Sequence, residues 1–553
     1  MSRPRTLIIG LDGATFDVIA PLASRGRLPA LARLMAEGAH GPLRAWPNMN
    51  SAAAWSSIIT GYNPGQHNVY HFGWAATPQR GQTFRPTTAL DRTRDPFWRL
   101  LGAAGLHAGA INVPISYPAD PRTAFMLAGM DTPNLDSPGF AHPPALRDEL
   151  RRAGIDYIID VGQLGVIRRR RPYETPPRVR HMIDARARTI RHLMRTRSWD
   201  ALIAVFVATD RMQHFYWPAD GASPGDRAWA PLASVYEQLD GVFARILEDI
   251  DRDTTLLVVS DHGAGPAREA MRGLNPLFRR LGLLARREGA TRLKGRALEH
   301  LLATARKVIP LPLQRPLARA LPRVHMRALS EGRLSGIDWS RTLAFASPQG
   351  WDIFVNLRGR EPEGIVAPED YEGLRDRIRR ILVQLVDPVS GRRAVRDVHR
   401  REDVFHGPHV KRAPDLIVDW DCDVVRDALH YPGEGGPITV EPARERGPGE
   451  RWTGTHRPEG VFVAWGPHVA PGRTLTPVSL YDITPTILHL HGQPVPEDMD
   501  GRVLREIFTE QYIRDHPVRR RSGDGAALPP TDALSEDEAG QVEQRLRSLG
   551  YIE

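Results

Sequence analysis

Cysteine is nearly missing from this chain. Among 553 residues there is one, Cys422, which excludes an internal disulfide and any thiolate cluster for a metal. It lies in Asp421-Cys422-Asp423, where the neighbouring acids disfavour a thiolate nucleophile. A reduced, cytoplasmic setting is the expectation. Lysine is almost as scarce: of 74 basic residues only Lys294, Lys307 and Lys411 are lysines, so arginine carries nearly all of the formal charge of +9. The guanidinium fork suits phosphate, but such usage also arises as a genome-wide compositional habit, so nucleic-acid binding is not the expected role. No run of about twenty apolar residues occurs, which argues against a membrane-spanning helix. Residues 1–5 lead straight into the apolar run 6–11, too short for the apolar region of a signal peptide, and no export signal is expected.

What is present is material for a large core, with 41% hydrophobic and 25% charged residues. Length alone suggests several domains, at about 150 residues each, although large α/β enzymes often spend such length on insertions into one sheet. Short apolar runs at 6–11, 202–209 and 255–260 stop just before Asp12, Asp210 and Asp261 and read as buried strands. Between them, residues 230–250 place Leu232, Val235, Leu239, Val242, Ile246 and Ile250 at helical spacing. Alternation of this kind predicts an α/β fold with a mostly parallel central sheet and helices on both faces. Further strands are expected at 108–113, 343–346, 353–357, 416–420 and 461–465. The core is assigned to 1–279 and 341–510. The Arg-, Leu- and Ala-rich stretch 280–340 reads as a basic helical insertion or cap, and 511–553 as a tail with one helix at 536–549. Residues 168–171, four arginines before Pro172, read as a solvated loop.

Ligands in open α/β sheets bind beyond the carboxyl ends of the strands, so acids placed there by three strands converge on one crevice. Asp12, Asp210 and Asp261 are such acids. A single Asp after a strand is usually a cap or turn residue. Here Asp261 is followed at once by His262, and Asp210 four residues later by His214, and carboxylate oxygens mixed with imidazoles suit zinc or a similar ion. A second ingredient is Asn50-Ser51-Ala52-Ala53-Ala54-Trp55 leading to Gly61. Ser51 reads as the N-cap of a helix closing at Gly61. A serine hydroxyl there, beside N–H groups that attract phosphate and activated by a metal, could also be a nucleophile.

These residues, in this order, resemble the alkaline phosphatase superfamily, most closely its type I phosphodiesterase and nucleotide pyrophosphatase branch. The likeness rests on Ile9-Gly10-Leu11-Asp12-Gly13, on Ser51 to Gly61 and the following Asn63-Pro64-Gly65-Gln66-His67, on Ala208-Thr209-Asp210-Arg211-Met212-Gln213-His214, on Val259-Ser260-Asp261-His262-Gly263, and on Gly454-Thr455-His456-Arg457-Pro458. It implies a two-metal site in which Asp210, His214 and His456 hold one divalent ion and Asp12, Asp261 and His262 the other. Zinc is the expected metal, and manganese or another divalent ion the alternative. The resemblance further implies that Ser51 attacks phosphorus and passes through a phosphoserine, making the protein a phosphoric ester hydrolase acting on a small anionic phosphoryl ester. Diester-cleaving relatives carry a phosphoryl-binding asparagine a little over twenty residues after the nucleophile, and Phe72 stands at that place. Asn50 or Asn112 is the candidate substitute for binding substrate.

Rival readings are a phosphomutase or phosphotransferase of the same superfamily, and a non-catalytic binding or assembly protein using the basic insertion. A sulfatase is set aside because Ala53 and Trp55 occupy the places of that family's motif proline and arginine.

Overall fold

The computed structural model describes residues 4–47, 49–73, 85–162, 166, 173–222, 225–287, 336–433, 436–441, 452–522 and 534–549. In chain order it lays down β1 (Arg5–Leu11), β2 (Ala39–Arg44), β3 (Ala108–Ile111), β4 (Phe125–Leu127), β5 (Ala141–His142), β6 (Ala201–Phe206), β7 (Thr254–Val259) and β8 (Gly263–Pro266). There follow β9 (Ala344–Ala346), β10 (Asp352–Val355), β11 (Val395–Arg400), β12 (Leu416–Trp420), β13 (Leu429–Tyr431), β14 (Ile438–Val440), β15 (Gly454–Arg457), β16 (Glu459–Trp465), β17 (Arg473–Thr474) and β18 (Val478–Ser479).

The central sheet has the order β17-β2-β16-β7-β1-β6-β3-β4-β5, with β18 beside β2. Strands β7, β1, β6, β3 and β4 run parallel, and β16 joins antiparallel to β7. Every residue of β6 and β7, and all of β1 after Arg5, is buried. These are the continuous apolar runs of strands covered on both faces, where an alternating pattern would leave polar groups sealed in the core. One group of covering helices is built on Ala230–Asp249, which packs against Pro29–Glu37 and Pro177–Thr196. Another joins Ser51–Thr60, Phe97–Ala103 and Ile483–Leu490. The tail helix Glu536–Leu549 buries Val542, Leu546 and Leu549 in this same core.

A second core, running from Ala270 to Val440, is separate. It surrounds a four-stranded antiparallel sheet of order β11-β12-β10-β9, backed by the helix Tyr371–Leu382. The strands expected at 343–346, 353–357 and 416–420 therefore form, but here and not in the central sheet. A short apolar run carries no mark of which sheet it will join. The segment 280–340, expected as a helical insertion, falls mostly on 288–335, and the arginines at 168–171 on 167–172; both lie outside the described residues. No helix among the described residues is long and apolar enough to cross a membrane.

Candidate active site

Strands β7, β1 and β6 are neighbours in register, Ile8 pairing with Leu257 on one side and Ile203 on the other. Their carboxyl ends therefore bring three acids to one place. Asp12 follows β1 directly and Asp261 follows β7 by two residues. Asp210 was expected just beyond a strand reaching residue 209; β6 instead ends at Phe206, and Asp210 stands in the first turn of the helix Ala208–Tyr216. On a helix, a spacing of four puts Asp210 and His214 on one face, and Asp210 Oδ1 lies 3.1 Å from His214 Nε2. The ribbon of β8 and β15 carries the last ligand candidate: His456 pairs with Ala264, two residues from His262. Gly454 permits this docking, since a Cβ there would sit 2.3 Å from the Gln213 carbonyl oxygen.

Ser51 opens the helix Ser51–Thr60, and Asn50, expected as a substrate donor, is its N-cap: the Asn50 side-chain oxygen accepts from the Ala52 N–H at 3.1 Å. The cap thus falls one residue earlier than expected, since Asn and Ser are comparably good there. Gly61 ends the helix in a left-handed conformation, φ 79°. Ser51 is freed by this shift to present its Oγ 3.2 Å from His262 Nε2. Asn112, the other expected donor, is also held by the backbone. It sits in a left-handed turn after β3, φ 58°, and its amide donates to the Val205 carbonyl. His67 donates or accepts at 3.0 Å with Ser57 on the Ser51 helix.

The three imidazoles share one arrangement. Nδ1 of His214 meets the Gly454 carbonyl at 3.1 Å, Nδ1 of His262 the Gly263 carbonyl at 2.9 Å, and Nδ1 of His456 the Met49 carbonyl at 2.9 Å. A carbonyl only accepts, so each Nδ1 carries a proton and each Nε2 is turned inward, where it offers a lone pair whenever the ring is neutral. His214 Nε2 and His456 Nε2 face one another at 3.3 Å, where two lone pairs need a proton or a cation between them. His456 Nε2 is also 3.4 Å from Asp210 Oδ1, and His262 Nε2 is 3.4 Å from Asp261 Oδ2 and 3.8 Å from Asp12 Oδ1.

The carboxylates fit a cation as well. Asp12 Oδ2 accepts from Trp55 Nε1 at 3.1 Å and Asp261 Oδ1 from the Gly13 N–H at 3.1 Å, but Asp12 Oδ1 and Asp261 Oδ2 are buried with no donor among the described residues. Sealed oxygens of this kind are costly unless a metal takes them. Burial, then repulsion from Asp261 and Asp210, pushes the Asp12 carboxyl well above the usual range. Burial pushes Asp261 up to about 7, with Asp210 adding to it. Burial also opposes ionisation of Asp210, but His214, His456 and Arg211 together hold it well below that range. His262 is held well below the usual imidazole value by burial and by His456, whereas Asp210 overcomes burial to raise His456. Ligand atoms converge in two groups, Asp12 with Asp261 and His262, and Asp210 with His262 and His456. The first is the expected trio; in the second His262 appears where His214 was expected, with His214 still 3.1 Å from Asp210.

Several members of the site escaped sequence reasoning. Trp55 reads as a core aromatic, and it is fully buried, but its ring nitrogen holds Asp12. Its ring also explains Gly10, where a Cβ would come within 2.4 Å of it. The carbonyls of Met49, Gly263 and Gly454 leave no trace in residue type, because any residue supplies one.

An α/β sheet whose strand ends gather buried acids, inward imidazoles and a serine at a helix start is the arrangement that the sequence resemblance implies for a phosphoric ester hydrolase. Residues 6–428 match the type I phosphodiesterase / nucleotide pyrophosphatase family, and the chain belongs to it. No curated protein matches the sequence significantly. Among solved structures, it is similar to murine ectonucleotide pyrophosphatase / phosphodiesterase 5, at 11% identity and TM-score 0.41, over 93% of this chain and 99% of that one. It is also similar to phosphonoacetate hydrolase from Sinorhizobium meliloti 1021 in complex with phosphonoacetate, at 14% identity and TM-score 0.48, over 88% of this chain and 98% of that one.

Proposed function

We propose that this protein hydrolyses phosphoryl esters with two divalent metal ions and a phosphoserine formed on Ser51. One observation carries the reading: Ser51 Oγ stands 3.2 Å from His262 Nε2, beside the two donorless buried oxygens of Asp12 and Asp261. Asp12, Asp261 and His262 would hold one ion, and Asp210 and His456, with His214, the other. The mixed carboxylate and imidazole set favours zinc. Bound there, such ions would lower the pKa of a hydroxyl or water and neutralise phosphoryl charge. Ser51 Oγ attacks phosphorus as the bond to the leaving oxygen breaks, and the serine proton ends on that oxygen or in solvent. Water then attacks the phosphoserine, the bond between phosphorus and Ser51 Oγ breaks, a proton of the water returns to Oγ, and phosphate or a phosphomonoester carrying the water oxygen departs. The first turn of the Ser51 helix directs N–H groups and the positive end of its dipole toward the phosphoryl oxygens. The lone buried thiol, Cys422, supports a reducing, cytoplasmic setting for this activity.

Purified enzyme with zinc or manganese, assayed on an aryl phosphomonoester and an aryl phosphodiester, tests the reading. Wild type is expected to turn over at least one of them, and Ser51→Ala to lose on the order of 10⁴-fold in kcat. Wild type that binds metal and leaves every ester intact would favour the assembly reading instead.

A further inference from the structure

Asp210 uses one oxygen toward the site. Its Oδ1 faces His214 at 3.1 Å and His456 at 3.4 Å, while Oδ2 is taken by Arg211 Nη1 at 3.1 Å. The Arg211 side chain is 2% exposed and turns its other edge onto Asp160, which is 0% exposed. Nε donates to both oxygens of Asp160, at 3.2 and 3.1 Å, and Nη2 to Oδ2 at 2.7 Å. Asp160 is held in turn: the Gly162 N–H donates to its Oδ1 at 2.9 Å. Its backbone carbonyl accepts from Arg545 Nη2 at 3.2 Å, and Arg545 Nε reaches the Met130 carbonyl at 3.4 Å. Arg545 belongs to the helix Glu536–Leu549, more than 300 residues along the chain from Asp210.

We propose that Asp160 and Arg211 form a buried strut that orients Asp210 as a metal ligand, and that Arg545 fixes the outer end of that strut. This rests on the two-metal reading above. The physics is a matter of charge and of torsion. An arginine beside a ligating carboxylate competes with the metal for it, unless its own charge is met elsewhere. Asp160 meets it, so the three side chains sum to one negative charge, which remains on Asp210 for the cation. The bond to Oδ2 also fixes the torsion of the Asp210 carboxylate, so that Oδ1 points at the histidines before any ion arrives. Partners of metal ligands are commonly worth about 10–100-fold in metal affinity. Arg211 and Asp160 are positioning residues, since neither touches the reacting atoms.

The test is calorimetric titration of metal-free full-length protein with zinc chloride. Wild type is expected to take two ions per chain. Removing one charge of a buried pair threatens folding, so the variant of choice is the neutral double substitution Asp160→Asn with Arg211→Gln. It should bind one of the two ions about 10–100-fold more weakly and the other unchanged, and excess zinc should restore its ester turnover. Arg545→Gln, remote from the ligands, should weaken the same ion by a few-fold. A double variant that melts earlier but binds both ions as tightly as wild type would overturn the strut and leave the proposed activity standing. If the double variant fails to fold, Arg545→Gln decides, unchanged affinity overturning the proposal and selective weakening of one ion supporting it. Wild type that takes up no divalent ion would overturn the strut together with the two-metal reading.

Discussion

Asp415 in the second lobe and Asp261 just beyond the central sheet are both sealed from solvent, but they are held in opposite ways. Asp415 accepts from Arg360 through both terminal nitrogens, at 2.6 and 2.7 Å, from the Val355 N–H at 2.7 Å, and from Tyr371, with Arg401 3.2 Å away. Asp261 has the Gly13 N–H on one oxygen and, among the described residues, no hydrogen-bond donor on the other, which has His262 Nε2 3.4 Å away. The first ties the helix Tyr371–Leu382 and the sheet of its lobe together and has no capacity left. The second carries unmet charge beside another unmet carboxylate, Asp12, and three imidazoles whose lone pairs face inward. Burial of an acid is thus no sign of function by itself. What distinguishes a binding centre is ligand capacity that the protein leaves unfilled.

Two substitutions test that contrast, and the larger effect lies at the site. Asp261→Asn keeps the shape and removes the charge, so ester turnover should fall on the order of 10³-fold. Metal-free Asp261→Asn should unfold no earlier than wild type, because the change relieves a desolvated charge. Zinc at 100 times its dissociation constant should stabilise wild type by about 2.7 kcal/mol per bound ion and the variant by less, read from paired thermal melts. Turnover at the wild-type rate would break the comparison. Asp415→Asn should do the reverse. It removes the acid shared by Arg360 and Arg401, leaving them Glu361 and Glu402, and should cost about 3 kcal/mol in urea unfolding, while the protein that remains folded turns over ester at close to the wild-type rate.

The same contrast explains what could be read in advance. Hard donors beside the ends of apolar runs are a local pattern, so Asp12, Asp210, Asp261, His214 and His262 stood out as candidates from their neighbours alone. His456 needed the family resemblance, because its partner strand lies almost 200 residues earlier, at Gly263–Pro266. The Asn50 cap was misplaced by one residue because two good capping side chains are adjacent. Asp160 offers no local signal: nothing in its neighbourhood points to an arginine 51 positions away. The second lobe was hidden for a related reason. Strands β9, β10 and β12 are visible as apolar runs, but pairing partners are decided by tertiary packing, and no residue in them encodes a choice of sheet.

Histidines extend the comparison to its smallest expected effect. His491, at the end of the helix Ile483–Leu490, is buried in the main core with no partner for Nε2. Unlike the site histidines it stands in no converging group of carboxylates among the described residues, so burial pushes its pKa down to about 4, with Asp200 only partly opposing this. The unfolded chain, with an ordinary imidazole near 6.5, therefore binds the proton more readily between those values. Its contribution to stability is fully present above pH 6.5 and is lost as the pH falls toward 4, on the order of 3 kcal/mol in all. Carboxylates titrate in the same range, so the quantity to measure is the difference between metal-free wild type and His491→Gln in urea unfolding at pH 7, 6, 5 and 4. That difference should shift toward the variant as the solution is acidified, since an amide stays neutral throughout. A difference that holds constant with pH would mean that His491 titrates in the folded protein as it does in the unfolded chain, and that burial here does not disfavour its charged form.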